Sequence, residues 1–127
     1  MKPAVQKVQA AIAEHGLDRQ VIELEVHART SQQAADALGV TVGQIVKSLV
    51  FVSHRQDGTA EPILCLVSGS NRVDVALLAA VIGRSDVRRA TAKEANELTG
   101  FVIGGIPPFG HDHRIREIGR ASCRERV

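Results

Sequence analysis

Two apolar runs joined by one tight turn constrain this chain more than any other feature. Residues 48–53 are rich in β-formers, Asp57-Gly58 is a hairpin dipeptide, and residues 63–67 (Ile-Leu-Cys-Leu-Val) form a continuous apolar run. A strand exposed on one face alternates apolar with polar residues, whereas a continuous run marks a strand covered on both faces. Asp-Gly supplies the positive φ that a tight hairpin turn requires. The segment therefore predicts an antiparallel hairpin inside the core, and it excludes a purely parallel sheet.

Helix punctuation surrounds that hairpin. Pro3 suits a first helical turn, Val5, Val8 and Ile12 fall on one face, and Gly16 suits the stop. Thr30 with Gln33 is a capping box, opening a helix through Ala34, Ala35 and Leu38 that Gly39 ends. Thr41 with Gln44 repeats the signature and predicts a short helix holding Gln44 to Lys47. After the Gly69-Ser70-Asn71 turn, residues 73–82 read as a helix closed by Gly83. Thr91 with Glu94 opens another, reaching Leu98 with Gly100 behind it. Residues 21–26, 87–89 and 101–103 are further strand candidates. Strands and helices interleave, so the fold class is α/β or α+β with a mixed sheet.

A chain of 127 residues fits one domain. Its core is built from Val, Ile, Leu and Ala, because the chain has three Phe and neither Trp nor Tyr. The net charge of +2 permits an RNA partner without demanding one. No run approaches the length of a membrane span, and the N-terminus lacks the apolar block of a secretory signal. The expectation is a cytoplasmic protein with no membrane partner. Cys65 and Cys123 make neither a disulfide framework nor a metal quartet.

Residues 117–127 read differently from the rest. They carry three Arg, two Glu and a cysteine, with no helical or strand period. One reading is a basic arm for RNA. The other is a non-native tail, because the segment resembles a translated sequencing-adapter read in which ATC-GGA-AGA-GCG spells Ile118 to Ala121. On that second reading residues 1–116 are a single domain, truncated at its C-terminus, with a net charge of +1 and Cys65 as its one cysteine.

Among residues that can carry chemistry, Lys47 is the most informative, because the strand beyond it is apolar on both faces. An ammonium there is costly unless it is paired or faces a wet pocket. It can hold a phosphate, a carbonyl or a water, or it can snorkel from a sheet edge to solvent. The loop from Gly104 to His111 (Gly-Gly-Ile-Pro-Pro-Phe-Gly-His) pairs glycines that allow close backbone approach with prolines that fix its shape. Such a loop can aim N–H groups at an ester carbonyl, or simply connect strands. It has neither GxGxxG spacing nor a P-loop lysine. Ser70 and Asn71 can bind a polar ligand, and Asn71 can equally cap the next helix. Arg72 can meet a phosphate or only solvent, and Arg84, Arg88 and Arg89 can track an RNA backbone. His111 and His113 match no zinc spacing, so neither metal nor cofactor is expected. No Ser sits in a nucleophile elbow, and Cys65 reads as a buried small hydrophobe.

The order of the segments goes further than any one of them. Residues 30–39 (TSQQAADALG) run into 44–51 (QIVKSLVF), followed by 66–74 (LVSGSNRVD) and 100–111 (GFVIGGIPPFGH). This succession resembles the YbaK family, which includes the editing domain inserted in bacterial prolyl-tRNA synthetases and its free-standing relatives. The resemblance implies a mixed, barrel-like sheet flanked by helices. It implies an aminoacyl-tRNA deacylase that hydrolyses the ester of mischarged aminoacyl-tRNA in trans, a matter of translation fidelity, with tRNA for proline as the expected substrate. The partners are then the acceptor end of the tRNA and prolyl-tRNA synthetase. A catalytically idle module of the same fold, binding tRNA or a synthetase, is the alternative. By the resemblance, Lys47 matches the lysine on which activity depends, and Gly104, Gly105, Pro108 and Gly110 match the loop lining the aminoacyl pocket. His111, Ser70 and Asn71 complete the expected substrate-binding set. The family's polar residues in a final strand and helix have no counterpart here.

Overall fold

The structure is a computed structural model that describes residues 2–24, 28–108, 110–111 and 115–119. Helix α1 (Pro3–Glu14) and helix α2 (Ser31–Leu38) precede strands β1 (Val46–His54) and β2 (Ala60–Ser68). Helix α3 (Val75–Ile82), strand β3 (Arg88–Arg89), helix α4 (Ala92–Thr99) and strand β4 (Arg116–Ile118) follow. The strands form an open mixed sheet in the order β3-β1-β2-β4 among the described residues. Strand β1 is antiparallel to β2 and β3, and β4 runs parallel to β2. The expected α/β class holds, and the barrel-like sheet is here an unclosed one.

The hairpin is central, as its two-sided apolar pattern requires. Ile63, Cys65 and Val67 face one way and pack with Phe51 against Leu78 and Ile82 of α3. Leu64 faces the other way, joining Val50, Val52 and Ala90 against Ala95 of α4. The turn is held by Gly58 in the left-handed region and by Asp57, whose carboxylate accepts from the Thr59 N–H at 2.9 Å. Burial of these apolar side chains, at about 25 cal/mol per Å², is the main force holding helices to both faces.

The capping boxes of α2 and α4 form as read, and Gly39, Gly83 and Gly100 end their helices with left-handed backbones. Elsewhere tertiary contacts override the local pattern. Thr41 and Gln44 bracket only a 3₁₀ turn over Val42–Gln44, because the β-branched Ile45-Val46 goes straight into β1. Lys47 therefore lies on a strand and not on the expected helix. Residues 21–24 form no strand: the Val21 N–H is taken by the Gln9 side chain of α1 at 2.8 Å. The remainder of that candidate, residues 25 and 26, lies outside the described residues. Residues 101–103 are likewise no strand. The Phe101 N–H is held by Thr99 Oγ1 at 3.0 Å, and Gly105 turns back on the Val102 carbonyl at 2.9 Å. Helix α3 starts later than expected, because Asp74 and not Asn71 caps it, accepting from the Ala76 and Leu77 N–H groups. The last strand comes from residues 116–118, so the sequence-based boundary after residue 116 falls within β4.

Candidate functional site

Lys47 sits at the open end of β1, between two clefts that share its side chain, Leu49 and Arg89. Strand alternation puts Lys47, Leu49 and Phe51 on the α3 face of the sheet. Leu49 and Phe51 are absorbed into the core there, whereas Lys47 lies beyond the reach of α3. Its ammonium is partly buried and donates to the Asn71 carbonyl at 2.8 Å. One of its three donors is thus anchored, and the charge has no carboxylate partner among the described residues.

The first cleft, about 320 Å³, lies between the start of α2, the edge of β1 and the 103–106 loop. Thr30, Ser31 and Ala34 form one wall, Lys47 and Ser48 the floor, and Gly104 and Ile106 the other wall. Among the described residues the β1 edge here has no strand partner, because β3 reaches only Phe51 and Val52. The Ala90 N–H donates to the Val50 carbonyl at 3.0 Å, so backbone groups of even-numbered residues point away from β2. By alternation the Ser48 peptide groups face this cleft. The second cleft, about 430 Å³, has an apolar floor of Leu49, Phe51, Val73 and Val75 beside Arg72 and Arg89.

The turn beneath Lys47 is built by close approach. The Gly69 N–H donates to the Ile45 carbonyl at 2.6 Å. A Cβ on Gly69 would lie 2.5 Å from the Val42 carbonyl oxygen and 2.9 Å from Ser31 Cβ. Only glycine lets this turn reach the 3₁₀ segment and the start of α2, and that contact places the Asn71 carbonyl under the ammonium.

The structure brings Lys47, Gly104 and the Asn71 carbonyl together, and it sets the other expected residues apart. Gly105 closes the turn behind Gly104. Ser70 pairs its hydroxyl with that of Ser68 at 3.2 Å. Pro108 is exposed. Gly110 packs on α1, where an added Cβ would meet Ala11 at 3.0 Å. His111 donates from Nε2 to the Pro107 carbonyl at 2.8 Å, and its ring meets the Phe101 ring edge-on at 5.9 Å. Thr30, Ser31, Ala34 and Ser48 are lining residues that the sequence did not single out. Their only local signal, the capping box, explains Thr30 without reference to a cleft. Arg84 and Arg88 leave the expected basic cluster, because Glu61 and Glu94 engage them at 3.3 and 2.7 Å. Cys65 is fully buried, and burial pushes its thiol up to about 11. Among the described residues, no three His, Cys, Asp or Glu gather as a metal site would need, and His113 lies outside them.

The aminoacyl-tRNA editing domain family matches residues 25–118, a span that holds both clefts. This chain belongs to that family. It is 27% identical over 121 residues to the multifunctional Ser/Thr-tRNA deacylase ProXp-y of Escherichia coli (strain K12), covering 95% of this chain and 71% of that protein. It is 37% identical over 84 residues to the proline–tRNA ligase of Thermosipho africanus (strain TCF52B), covering 66% of this chain and 14% of the ligase. A crystal structure described as a candidate trans-editing enzyme for prolyl tRNA synthetase superposes with a TM-score of 0.82 at 43% identity, covering 92% of this chain and 71% of that one. No described helix is long and apolar enough to cross a membrane.

Proposed function

We propose that this chain is a trans-acting aminoacyl-tRNA deacylase, hydrolysing the ester between a wrong amino acid and its tRNA. The observation that carries the reading is a partly buried ammonium, anchored to a backbone carbonyl at the mouth of a small cleft, in a member of the editing family. A synthetase pocket rejects a substrate one methylene smaller by only about 1–3 kcal/mol, so a second sieve is needed. The first cleft, about 320 Å³ and lined by Thr30, Ser31 and Ala34, is the candidate for that sieve.

The aminoacyl ester is already labile, so the protein has little to add beyond positioning and charge stabilisation. Water adds to the ester carbonyl carbon, and negative charge develops on the carbonyl oxygen. The Gly104 backbone, which lines the cleft, faces that oxygen, while Gly105 closes the turn behind it and Lys47 fixes the attacking water or the tRNA terminus. Collapse of the tetrahedral species expels the ribose oxygen, which takes up a proton, and releases free amino acid and intact tRNA. The remaining loop positions, Pro108, Gly110 and His111, hold the loop in shape from behind, and Ser70 and Asn71 hold the lysine turn. The editing domain includes β4 through Ile118, beyond the sequence-based boundary at residue 116, and it works in the cytoplasm on tRNA for proline beside prolyl-tRNA synthetase.

The test is release of amino acid from a panel of tRNAs mischarged with alanine, cysteine and serine, with Lys47→Ala run in parallel. Release of one amino acid, reduced at least about tenfold in the variant at unchanged thermal midpoint, is the expected result. A well-folded chain that binds tRNA and releases nothing would instead be an idle binding module.

A further inference from the structure

Charged residues of opposite sign are nearly balanced along the chain, with 16 Lys and Arg against 14 Asp and Glu. They are not balanced around the two clefts. Arg29, Lys47, Arg72 and Arg89 line them, and among the described residues no carboxylate does. Neighbouring arginines show the contrast. Arg84 pairs with Glu61, and Arg88 grips Glu94 with both terminal nitrogens at 2.7 and 2.8 Å. Arg72 and Arg89 have no such partner among the described residues, although both are exposed. The Arg89 guanidinium lies over the Phe51 ring, 5.7 Å from its centroid. That contact restrains the side chain.

We infer that the second cleft is a phosphodiester subsite, in which Arg72 and Arg89 hold the backbone of the single-stranded tRNA 3′ end while its last ribose lies at Lys47. The inference rests on the deacylase reading for its choice of nucleic acid. The chemistry fits that ligand. Guanidinium forks match phosphate oxygens bidentately, and an apolar floor beside them suits a ribose or base face. The first cleft, walled by small side chains, is left for the aminoacyl group. Lys47 is the one ammonium common to both, at the junction between ester and phosphate.

The experiment measures binding of a short single-stranded RNA with the tRNA 3′-terminal sequence, across a salt series, for the full chain and for Arg72→Ala, Arg89→Ala and Arg89→Lys. Lys93→Ala, on the outer face of α4, is the control. Each alanine variant should weaken binding about tenfold and flatten the slope of log K against log salt by about 0.7. Arg89→Lys should keep the slope and lose part of the affinity, because the charge remains and the fork does not. Both arginines are exposed, so their variants should retain the parent thermal midpoint. Affinity and slope unchanged in both alanine variants, or reduced equally by Lys93→Ala, would overturn the subsite. Turnover separates the two readings. Arginine-dependent RNA binding without ester hydrolysis removes the deacylase and keeps the subsite. Hydrolysis of mischarged tRNA indifferent to both arginines does the reverse.

Discussion

Gly69 and Cys65 illustrate how single residues act at this site and beneath it. Gly69→Ala would place a methyl 2.5 Å from the Val42 carbonyl oxygen, so either the 3₁₀ turn or the lysine turn must move. The substitution should cost about 1–3 kcal/mol in chemical denaturation, as other overpacked sites do. It should also depress turnover, because the displaced turn carries the Asn71 carbonyl that anchors Lys47. A variant with parent stability would mean that the junction is looser than drawn. Cys65 lies on the α3 face of β2 and keeps its thiol protonated up to about 11. Alkylation at neutral pH should leave the Cys65 peptide unmodified until denaturant is added, as read by mass spectrometry, since the thiolate is the reactive form.

At the scale of elements, helix caps were legible and their electrostatic consequences can be tested. Glu94 bonds both the Arg88 guanidinium and the Thr91 N–H of its capping box, which holds its carboxyl near about 2. Asp86 accepts from the His54 N–H and the Ser53 hydroxyl, and it too is held near about 2. Both folded values lie below the ordinary ones of 4.5 and 3.8, so both carboxylates stabilise the fold above those values. That contribution should fade as pH falls from roughly 4.5 towards 2. Thermal midpoints of Glu94→Gln and Asp86→Asn across that window should drop less steeply with acid than the parent's. A parallel drop in variants and parent would contradict the sign. The strand errors arose at this scale as well. Residues 21–24 and 101–103 have β-like composition, but the leading N–H of each, that of Val21 and that of Phe101, is claimed by Gln9 and Thr99 and not by a strand.

For the whole molecule, β4 is the element that ties the two cores together. Ile118 packs on the α3 side of the sheet and Ile115 on the α4 side, and both are half-buried. Replacing either by Ala should cost about 1–2 kcal/mol, less than for a fully buried isoleucine. The double variant should show nearly additive losses, because the two side chains lie on opposite faces and share no partner. Strong coupling in the cycle would instead mean that β4 docks as one unit. What residue order alone determined here was local: the hairpin from its uninterrupted apolar run, three helix ends from Gly39, Gly83 and Gly100, two capping boxes, and Lys47 as the costly cation to explain. These signals are short-range, since caps, turns and side-chain alternation are fixed within a few residues. Tertiary structure alone decided that the start of α2 walls the first cleft and that, among the described residues, β1 has no strand partner at Ser48. It also decided that Arg89 joins Lys47 while Arg84 and Arg88 are neutralised by Glu61 and Glu94. Those outcomes depend on which distant backbones are brought together. A charge in sequence acquires meaning only when packing has settled which opposite charges can reach it.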